Sequence, residues 1–538
     1  MTFLRLIFIT LILSSCSSNR SLENIINRDP AAETTCFDLM SSFSNPVDDI
    51  KGAKKISKLV AELQTSKGLS IEDREYLIEV LHPETRTNIG GSISELSDQE
   101  FIELLSKIKL NNTLSKEEKR ILSSMDTEAA NKVYKELLSS PKIHPNIRGR
   151  TSPRAYSEKL VSDEDLLKIF EAARWGASAF NEQPWRYIYA SKKDLTKYNK
   201  LKSFLDPWNE LWAKDAPVIA IAIRKKTFTY NGKPNPFSTH DLGMAQANLG
   251  FEAQSLGVSI HPMGGFFPEK IKAEFDLPDD YEPVTMMAMG YRGNVKRLPA
   301  DMQEGELKAR ERKGLSEIAF EGSFGNEKSF KTKETVWNKV AFSKKTIPAE
   351  LNAPHIHEVV AARASKRAFA DVPVTEEEIG SILEAARWAP SAFNEQPWRF
   401  IYVTKENISE YEKFSGVVNE FNAPWATKAQ VLILGIAKKD FTKNAKSNSF
   451  SLHDLGVAQG NIQLQAEVLG LNARQMGGIN PEVAKELLNI PEGYEPVSVI
   501  AIGKKGSIES LPEKYREEEV GPRLRKKLSE IIIKDKYE

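Results

Sequence analysis

Hydrophobic and polar positions follow the same order of patterns twice along this chain. Apolar residues at helical spacing predict an amphipathic helix over Ser162–Trp175 and again over Thr375–Trp388. Short runs that are apolar throughout predict buried strands, and each copy therefore mixes α and β structure. The remaining predicted elements of the first copy are strands over Trp185–Ala190, Pro217–Ile223 and Val284–Met289, and a long helix over His240–Leu256 that stops before Gly257.

The repetition extends to identical residues. The sequence SAFNEQPWR occupies Ser178–Arg186 and again Ser391–Arg399, an offset of 391 − 178 = 213 positions. The same offset relates Arg150 to Arg363, and it needs no net insertion or deletion. Solenoid repeats have periods of roughly 20–50 residues, so this repeat indicates a duplicated domain. We expect Trp185 to be buried and structural.

The pattern of the N-terminus is typical of a targeting signal rather than of a folded domain. Leu6–Leu13 is apolar except for Thr10 and is too short to span a bilayer. The Leu-Ser-Ser-Cys that ends at Cys16 resembles a bacterial lipobox, which implies a signal peptide over residues 1–15 and lipid on Cys16. The alternative is an ordinary secretory signal with an incidental cysteine. Residues 16–145 then predict a polar tether and a small helical region, and we expect the protein to be lipid-anchored in the cell envelope, at the outer membrane facing the periplasm.

Composition narrows the chemistry. Lys plus Arg and Asp plus Glu both total 74, so the net charge is zero, which argues against a nucleic-acid partner. The two cysteines, Cys16 and Cys36, cannot build a disulfide framework or a thiolate zinc site. We predict no metal site, and we expect the chemistry to lie in the repeated motifs.

Three repeated motifs carry groups that suit a bound anion. In extended backbone, the arginines and serine of an Arg-x-Ser-x-Arg segment face one side and can bind a phosphate. A Gly-Gly pair after an extended run allows close backbone approach to a ligand, and an Arg-x-Arg-Lys tail adds a second basic cluster. A solvated charge run, a plain turn and a helix surface are the respective alternatives. The motifs begin at Arg150 and Arg363, at Gly264 and Gly477, and at Arg310 and Arg523.

These motifs, in this order, resemble the nitroreductase family of FMN-dependent oxidoreductases. The Ala-Ala-Arg-Trp helix, the Ser-Ala-Phe-Asn-Glu-Gln-Pro-Trp segment and the Asp-Leu-Gly helix complete the resemblance, which covers residues 147–320 and 360–533. It implies an α+β fold of two three-layer α/β/α sandwich domains, with FMN at the interface of a dimer. We therefore predict domains over 147–320 and 355–538, joined by a linker over 321–354.

The resemblance also implies roles for individual residues. Arg150, Ser152 and Arg154 would hold the phosphate, ribityl chain and pyrimidine edge, Asn209 the ring, and Arg310 and Arg312 the phosphate. The backbone of Gly264 and Gly265 would lie near flavin N5. The second copy offers Arg363, Ser365, Arg367, Asn422, Gly477, Gly478, Arg523 and Arg525, and the segment that the family takes from its partner subunit is represented by Ser178 and Asn181, or Ser391 and Asn394.

The duplication suggests a dimer written into one chain. We expect a monomeric chain that acts as a pseudo-dimer with two FMN, in which the arginines of each copy meet the Ser-Ala-Phe-Asn segment of the other copy. The resemblance implies hydride transfer through flavin N5, with NAD(P)H as donor and a nitroaromatic, quinone or similar small molecule as acceptor. The alternative is a lipid-anchored, non-catalytic flavin- or ligand-binding protein.

Two of these expectations conflict. NAD(P)H is a cytoplasmic donor, and a protein anchored outside the inner membrane would not meet it. Either the lipobox interpretation is wrong, or the electrons come from a membrane or periplasmic carrier.

Overall fold

The computed structural model describes residues 141, 143–307, 310–328, 330 and 354–533. The predicted signal peptide, Cys16 and nearly all of the predicted tether and helical region lie outside the described residues, as does the predicted linker from 331 to 353. Within the described ranges, the structure contains no helix with the length and apolar character needed to cross a membrane.

The first copy contains eight described helices, which we number α1 to α8, and four strands of its own, β1 to β4. The order is α1 (Pro145–Gly149), α2 (Asp163–Arg174), β1 (Trp185–Ser191), α3 (Leu195–Lys202), α4 (Pro207–Ala213), β2 (Val218–Lys225), α5 (Ser238–Ser255), β3 (Ser259–Met263), α6 (Pro268–Glu274), β4 (Tyr281–Gly290), α7 (Ala300–Leu307) and α8 (Leu315–Ile318).

The second copy repeats this order after a short strand. The elements are β5 (Ala319–Glu321), α9 (Glu358–Ala362), α10 (Glu376–Arg387), β6 (Trp398–Thr404), α11 (Ile408–Ser415), α12 (Ala423–Ala426), β7 (Val431–Lys438), α13 (Ser451–Val468), β8 (Leu471–Met476), α14 (Pro481–Leu487), β9 (Tyr494–Lys504), α15 (Glu513–Val520) and α16 (Leu528–Ile531).

Each copy forms one sheet between two helical layers. The first sheet has the strand order β1-β2-β4-β3, and all of its pairings are antiparallel. Alternate residues of β2 face opposite layers: Val218 and Ala220 pack with residues of α2 and α5, whereas Ile219 and Ile221 pack with residues of α3, α4 and α6. The predicted three-layer α/β/α arrangement is therefore present, and Trp185 is fully buried as predicted.

The copies exchange their C-terminal segments. β5, which follows the last helix of the first copy, pairs in parallel with β6 of the second sheet, whose order is β5-β6-β7-β9-β8. Reciprocally, Ile532 bridges Tyr187 of β1 in parallel, and Ile533 N–H donates to the Tyr187 carbonyl at 2.8 Å. The predicted boundary at residue 320 thus falls inside a strand of the second sheet, because the tail of each copy completes the sheet of the other.

The two long helices α5 and α13 pack against each other where each has a glycine. A Cβ atom at Gly243 would lie 2.1 Å from the His453 carbonyl oxygen, and one at Gly456 would lie 2.0 Å from the His240 carbonyl oxygen. Real Cβ atoms do not approach this closely, so only glycine permits the packing. Buried polar groups connect the helices at the same level, since His240 Nε2 lies 2.7 Å from Gln459 Oε1.

The predicted elements agree with the structure apart from their ends. The helix predicted over Ser162–Trp175 is α2, and the long helix predicted over His240–Leu256 is α5, with two and one residues of difference at its ends. β2 and β4 extend beyond the predicted strands, because their polar ends pair with each other, with Arg224 opposite Glu282.

Candidate functional site

The first arginine of each copy follows a short helix and reaches the other copy. Arg150 directly follows α1 in extended backbone. Its Nη1 donates to Ser152 Oγ at 3.1 Å, and its Nη2 lies 3.5 Å from the carbonyl oxygen of Trp388 in the second copy. Arg363 repeats these contacts with Ser365 and with the Trp175 carbonyl. Each guanidinium therefore lies at the boundary between the copies, and its Nε is buried without a hydrogen-bond partner among the described residues.

The C-terminal tail of the first copy completes a composite pocket. Arg310 donates to the carbonyl oxygens of Arg150 and Arg148, both at 2.7 Å. Arg312 donates to Asn394 Oδ1 of the second copy at 3.0 Å. We call Arg150, Arg310 and Arg312, together with Asn394, the first pocket.

The second pocket has the same construction with the copies exchanged. Arg523 donates to the Arg363 carbonyl oxygen at 2.6 Å, and Arg525 donates to Asn181 Oδ1 at 3.1 Å. We call Arg363, Arg523 and Arg525, together with Asn181, the second pocket. The structure thus brings one arginine of each tail into contact with the asparagine of the opposite copy.

Both pockets concentrate positive charge in buried or half-buried positions. Burial lowers the pKa of Arg150 to about 9, and repulsion from Arg310 contributes to the shift. Burial also lowers the pKa of Arg312 well below its usual value, with Arg150 and Arg310 adding to it. In the second pocket the pKa of Arg363 falls to about 10 and that of Arg525 to about 9, in each case mainly through burial. Like charges that are held together away from water favour the binding of an anion.

A tryptophan from the opposite copy forms one wall of each pocket. The Arg310 guanidinium lies 4.5 Å from the ring centroid of Trp388, and that of Arg523 lies 4.6 Å from the ring centroid of Trp175. Trp388 Nε1 donates to Glu384 at 2.7 Å, which fixes the ring. The predicted site residues do not include these tryptophans. Their repetition at the end of the Ala-Ala-Arg-Trp helix in both copies is the feature of the sequence that could have indicated a role.

The Ser-Ala-Phe-Asn segment is held in strained backbone. Phe180 and Asn181 have φ of 52° and 55°, and Phe393 and Asn394 have 53° and 57°, a left-handed conformation that non-glycine residues seldom adopt. Asp241 of α5 fixes the segment by accepting a hydrogen bond from Ala179 N–H at 2.8 Å. Such strain places the asparagine side chains toward the tail of the other copy.

The two predicted serines have a different environment from the asparagines. Ser178 Oγ accepts a hydrogen bond from the Gln183 amide at 3.0 Å, and Ser391 Oγ accepts one from the Gln396 amide at 2.9 Å. Each hydroxyl therefore stabilises its own loop. The predicted contact of these serines with the cofactor stays a prediction.

The Gly-Gly turn and the predicted ring-binding asparagine lie together. Asn209 Nδ2 donates to the Gly265 carbonyl at 3.0 Å, and a Cβ at Gly265 would lie 2.0 Å from Asp206. A Cβ at Gly264 would lie 2.4 Å from the Phe450 ring of the second copy. The second copy repeats this arrangement with Asn422, Gly478, Gly477 and Phe237. Phe450 and Phe237, which the sequence analysis did not single out, therefore cover the turn of the opposite copy.

The arginine that ends the Arg-x-Ser-x-Arg segment has different partners in the two copies. Arg154 lies over Trp208, with 5.1 Å from its Cζ to the ring centroid, and burial lowers its pKa. Arg367 instead forms an ion pair with Glu518 at 2.7 Å. Arg154 therefore lies beside α4, which carries the predicted ring-binding Asn209, whereas Arg367 lies beside Tyr515 and Glu518 of α15.

The pockets fit a phosphate-bearing ligand such as FMN. Each offers three guanidiniums and a buried Nε–H that lacks a hydrogen-bond partner within the described part of the chain, and guanidiniums match the geometry of a phosphate. Each also has a turn that accepts no side chain. In the ranges that the structure describes, no cluster of three or more His, Cys, Asp or Glu side chains could hold a metal ion.

Comparison with known proteins agrees with this geometry. The model of the nitroreductase family matches residues 147–291 and 360–504. A provisionally named NADH dehydrogenase/NAD(P)H nitroreductase from Methanothermobacter thermautotrophicus is 32% identical over 166 residues, which are 29% of this chain and 81% of the relative. The FMN reductase [NAD(P)H] of Bacillus subtilis is 31% identical over 157 residues, which are 26% of this chain and 61% of the relative.

Solved structures include similar proteins. An oxidoreductase containing FMN is 35% identical and matches 34% of this chain and 93% of its own, with a TM-score of 0.33. An FMN-dependent nitroreductase from Clostridium difficile R20291 is 28% identical and matches 27% of this chain and 84% of its own, with a TM-score of 0.24. Because the family matches both copies, the chain belongs to the nitroreductase family of FMN-dependent oxidoreductases, as its repeated motifs predicted.

Proposed function

We propose that this protein binds two FMN per chain, one in each pocket, and transfers hydride from NAD(P)H to a nitroaromatic, a quinone or a similar acceptor. The names of the relatives from M. thermautotrophicus and B. subtilis support the donor and the cofactor. The observation that carries the proposal is the pairing of Arg312 with Asn394 and of Arg525 with Asn181. This pairing builds two anion pockets, each from residues of both copies.

The residues of the first pocket have separate tasks in this proposal. Arg150, Arg310 and Arg312 hold the phosphate, and Trp388 keeps water away from one side of the Arg310 and Arg312 guanidiniums. Residue 265 has to be glycine because Asp206 and Asn209 leave no room for a side chain there, and its backbone would lie near flavin N5. Bound FMN would supply the redox chemistry.

The second pocket would work in the same way, and the arginines outside the clusters would add to both. Arg363, Arg523 and Arg525 hold the second phosphate. The positive charge of Arg154 or Arg367 favours a ring that carries negative charge. Ser152 and Ser365 accept hydrogen bonds from the first arginine of each copy and so orient it.

A single chain that supplies both halves of each pocket has a thermodynamic consequence. In a dimer of separate subunits, assembly depends on concentration, whereas linked copies meet by an intramolecular step. We therefore propose that the monomeric chain acts as a pseudo-dimer. FMN content that stays constant on dilution would support this, and FMN loss on dilution with dimer formation at high concentration would contradict it.

The absorbance spectrum of the purified protein tests the function. We expect a yellow protein with two FMN per chain that NADPH or NADH bleaches without oxygen. A yellow protein that neither nucleotide bleaches would support the non-catalytic binding alternative. A colourless protein that FMN does not tint would refute both.

Paired variants test the composite pockets. We expect Arg312→Ala to weaken one of the two FMN sites at least about tenfold, which is the effect of one hydrogen bond to a charged group. Asn394→Ala should weaken the same site, and the double variant should lose less than the sum, because the two side chains contact each other. Asn181→Ala is the matched control, since it should affect only the site weakened by Arg525→Ala. Additive losses from Arg312 and Asn394 at different sites would refute the exchange between copies.

A further inference from the structure

The two pockets differ at one position beside the first arginine. Gln463 of α13 occupies the place that Gly250 of α5 has in the first copy, since 463 − 250 = 213. Gln463 Oε1 accepts a hydrogen bond from Arg363 Nη1 at 3.3 Å, and Gln463 Nε2 donates to Gln475 at 2.9 Å. A protein side chain therefore already uses part of the hydrogen-bonding capacity of the Arg363 guanidinium.

The first pocket has no such amide. A Cβ at Gly250 would meet only the Arg150 side chain, at an ordinary contact distance of 3.7 Å. A cavity of about 30 Å³ lies there, lined by Arg150, Gly250, Gln246 and Pro390 among others. Arg150 is partly exposed, whereas Arg363 is 3% exposed. No amide side chain at this position therefore uses the hydrogen-bonding capacity of the Arg150 guanidinium.

A second difference lies at Arg154 of the first copy and the equivalent Arg367 of the second copy. Glu518 forms an ion pair with Arg367 at 2.7 Å, and the equivalent residue of the first copy is Gly305. Arg154 therefore has no ion pair among the described residues and lies over Trp208. A ligand in the second pocket has to compete with Glu518 for the charge of Arg367. In the first pocket, Glu306 attracts Arg154 electrostatically and accepts a hydrogen bond from its backbone N–H at 3.0 Å, so the competition there is weaker.

Net charge acts in the opposite direction, since it would favour an anion in the second pocket. Arg474 stands where the first copy has His261, and burial lowers the His261 pKa to about 3, so that this histidine is neutral. The second copy thus gains the cations Arg474 and Lys366, the latter in place of Pro153, and it has Asn419 in place of Asp206. Glu518 offsets only part of this added positive charge. The first pocket is favoured instead by hydrogen-bond donors that are not already engaged.

We propose that the two flavin sites are unequal, and that the first pocket binds FMN more tightly because Gln463 engages Arg363 of the second pocket and Glu518 engages the nearby Arg367. This inference rests on the proposed function, since it presupposes that both pockets take FMN. Gln463 and Glu518 are affinity-determining residues in it and touch no reacting atom.

Titration of the flavin-free full-length protein with FMN, followed by flavin fluorescence and calorimetry, tests the inference. We expect two equivalents in two steps whose Kd values differ by about tenfold or more, the ratio that about 1.4 kcal/mol of lost hydrogen bonding gives. Gly250→Gln copies the second pocket into the first and should weaken the tight step. Gln463→Gly should strengthen the weak step several-fold, as should Glu518→Gly.

The outcomes separate the inference from the function beneath it. Two equivalents with one Kd would overturn the inference and leave the function standing, whereas no FMN binding would overturn the function itself. A tight step that responds to Gln463→Gly and ignores Gly250→Gln would reverse the assignment and overturn the inference. Because glycine weakens a helix, Gln463→Ala repeats the test with the helix preserved, and a strengthened weak step in that variant supports the inference.

Discussion

Glu252 gives this protein a stability that depends on pH, and a natural control for it lies in the same chain. Glu252 is a 2% exposed residue of α5 whose Oε2 accepts a hydrogen bond from the His357 amide at 2.7 Å. At the equivalent position, Gln465 accepts the same hydrogen bond from the His144 amide at 2.9 Å. Each contact ties the segment before one Arg-x-Ser-x-Arg motif to the long helix of the other copy.

The direction of the effect follows from the pKa. Burial raises the pKa of Glu252 from 4.5 to about 7, against smaller opposing effects of the His357 amide and Lys168. Between pH 4.5 and about pH 7, Glu252 therefore keeps its proton in the folded protein but has lost it in the unfolded chain. Stability from this group is fully present below about pH 4.5 and is lost as pH rises through about 7.

The shift gives a magnitude for the variant Glu252→Gln. An amide cannot ionise, so the variant avoids a cost of about 3 kcal/mol at pH 8 and about 1 kcal/mol at pH 5. We expect the variant to gain about 2 kcal/mol over the wild type between these pH values. For a cooperative unit of roughly 400 residues, this corresponds to a rise in Tm of about 2–3 °C.

Denaturant unfolding and thermal melting of both proteins at about pH 5 and pH 8 measure this difference. Burial lowers the pKa of His144 to about 4 and also that of His357, and both histidines titrate in the opposite sense. Because both proteins carry them, their contribution largely cancels in the comparison. Gln465→Glu is the matched control and should introduce the same pH dependence in the other copy. Identical pH profiles for the wild type and Glu252→Gln would refute the reasoning.

Two further changes have expected outcomes. Gly243→Ala places a methyl group 2.1 Å from the His453 carbonyl oxygen and should cost about 1–3 kcal/mol of stability in denaturant unfolding. Gly305→Ala is the control and should be neutral or slightly stabilising, because a Cβ at Gly305 has nothing within 4 Å. An equal loss of stability in both variants would contradict the packing argument. Lipidation of Cys16 stays a prediction: incorporation of a labelled fatty acid in cells should disappear in Cys16→Ser, and labelling that persists in the variant would refute it.

Much of each copy could be predicted because the relevant signals are local. An apolar run such as Pro217–Ile223 has few alternatives to a buried strand, and the identical motifs locate both pockets. The ends of elements were less accessible, since β2 extends to Lys225 through pairing with distant β4. The roles of Trp388 and Phe450 could be found only from tertiary contacts, because a local sequence pattern does not show whether a side chain faces its own copy or the other one.

The exchange of C-terminal strands could not be predicted from local pattern. β5 has only three residues, Ala319–Glu321, which is too short for an alternation to be recognised. Its pairing with β6 is parallel and crosses the boundary between the copies, so its location depends on the completed fold of a domain that follows it in the chain. The predicted boundary between residues 320 and 321 therefore falls inside β5.

Fusion of the two copies changes what substitution can do. In a homodimer, a change beside the phosphate arginine appears in both sites, because both are built from the same sequence. In this chain, Gly250 and Gln463 stand at equivalent positions and can differ, so one site can keep an open guanidinium while the other engages it. The long helices still force the copies to pack at Gly243 and Gly456, and Arg312 still needs Asn394 from the other copy. The duplication therefore preserves the shared interface that both pockets require, while it allows the affinity of each pocket to be set separately.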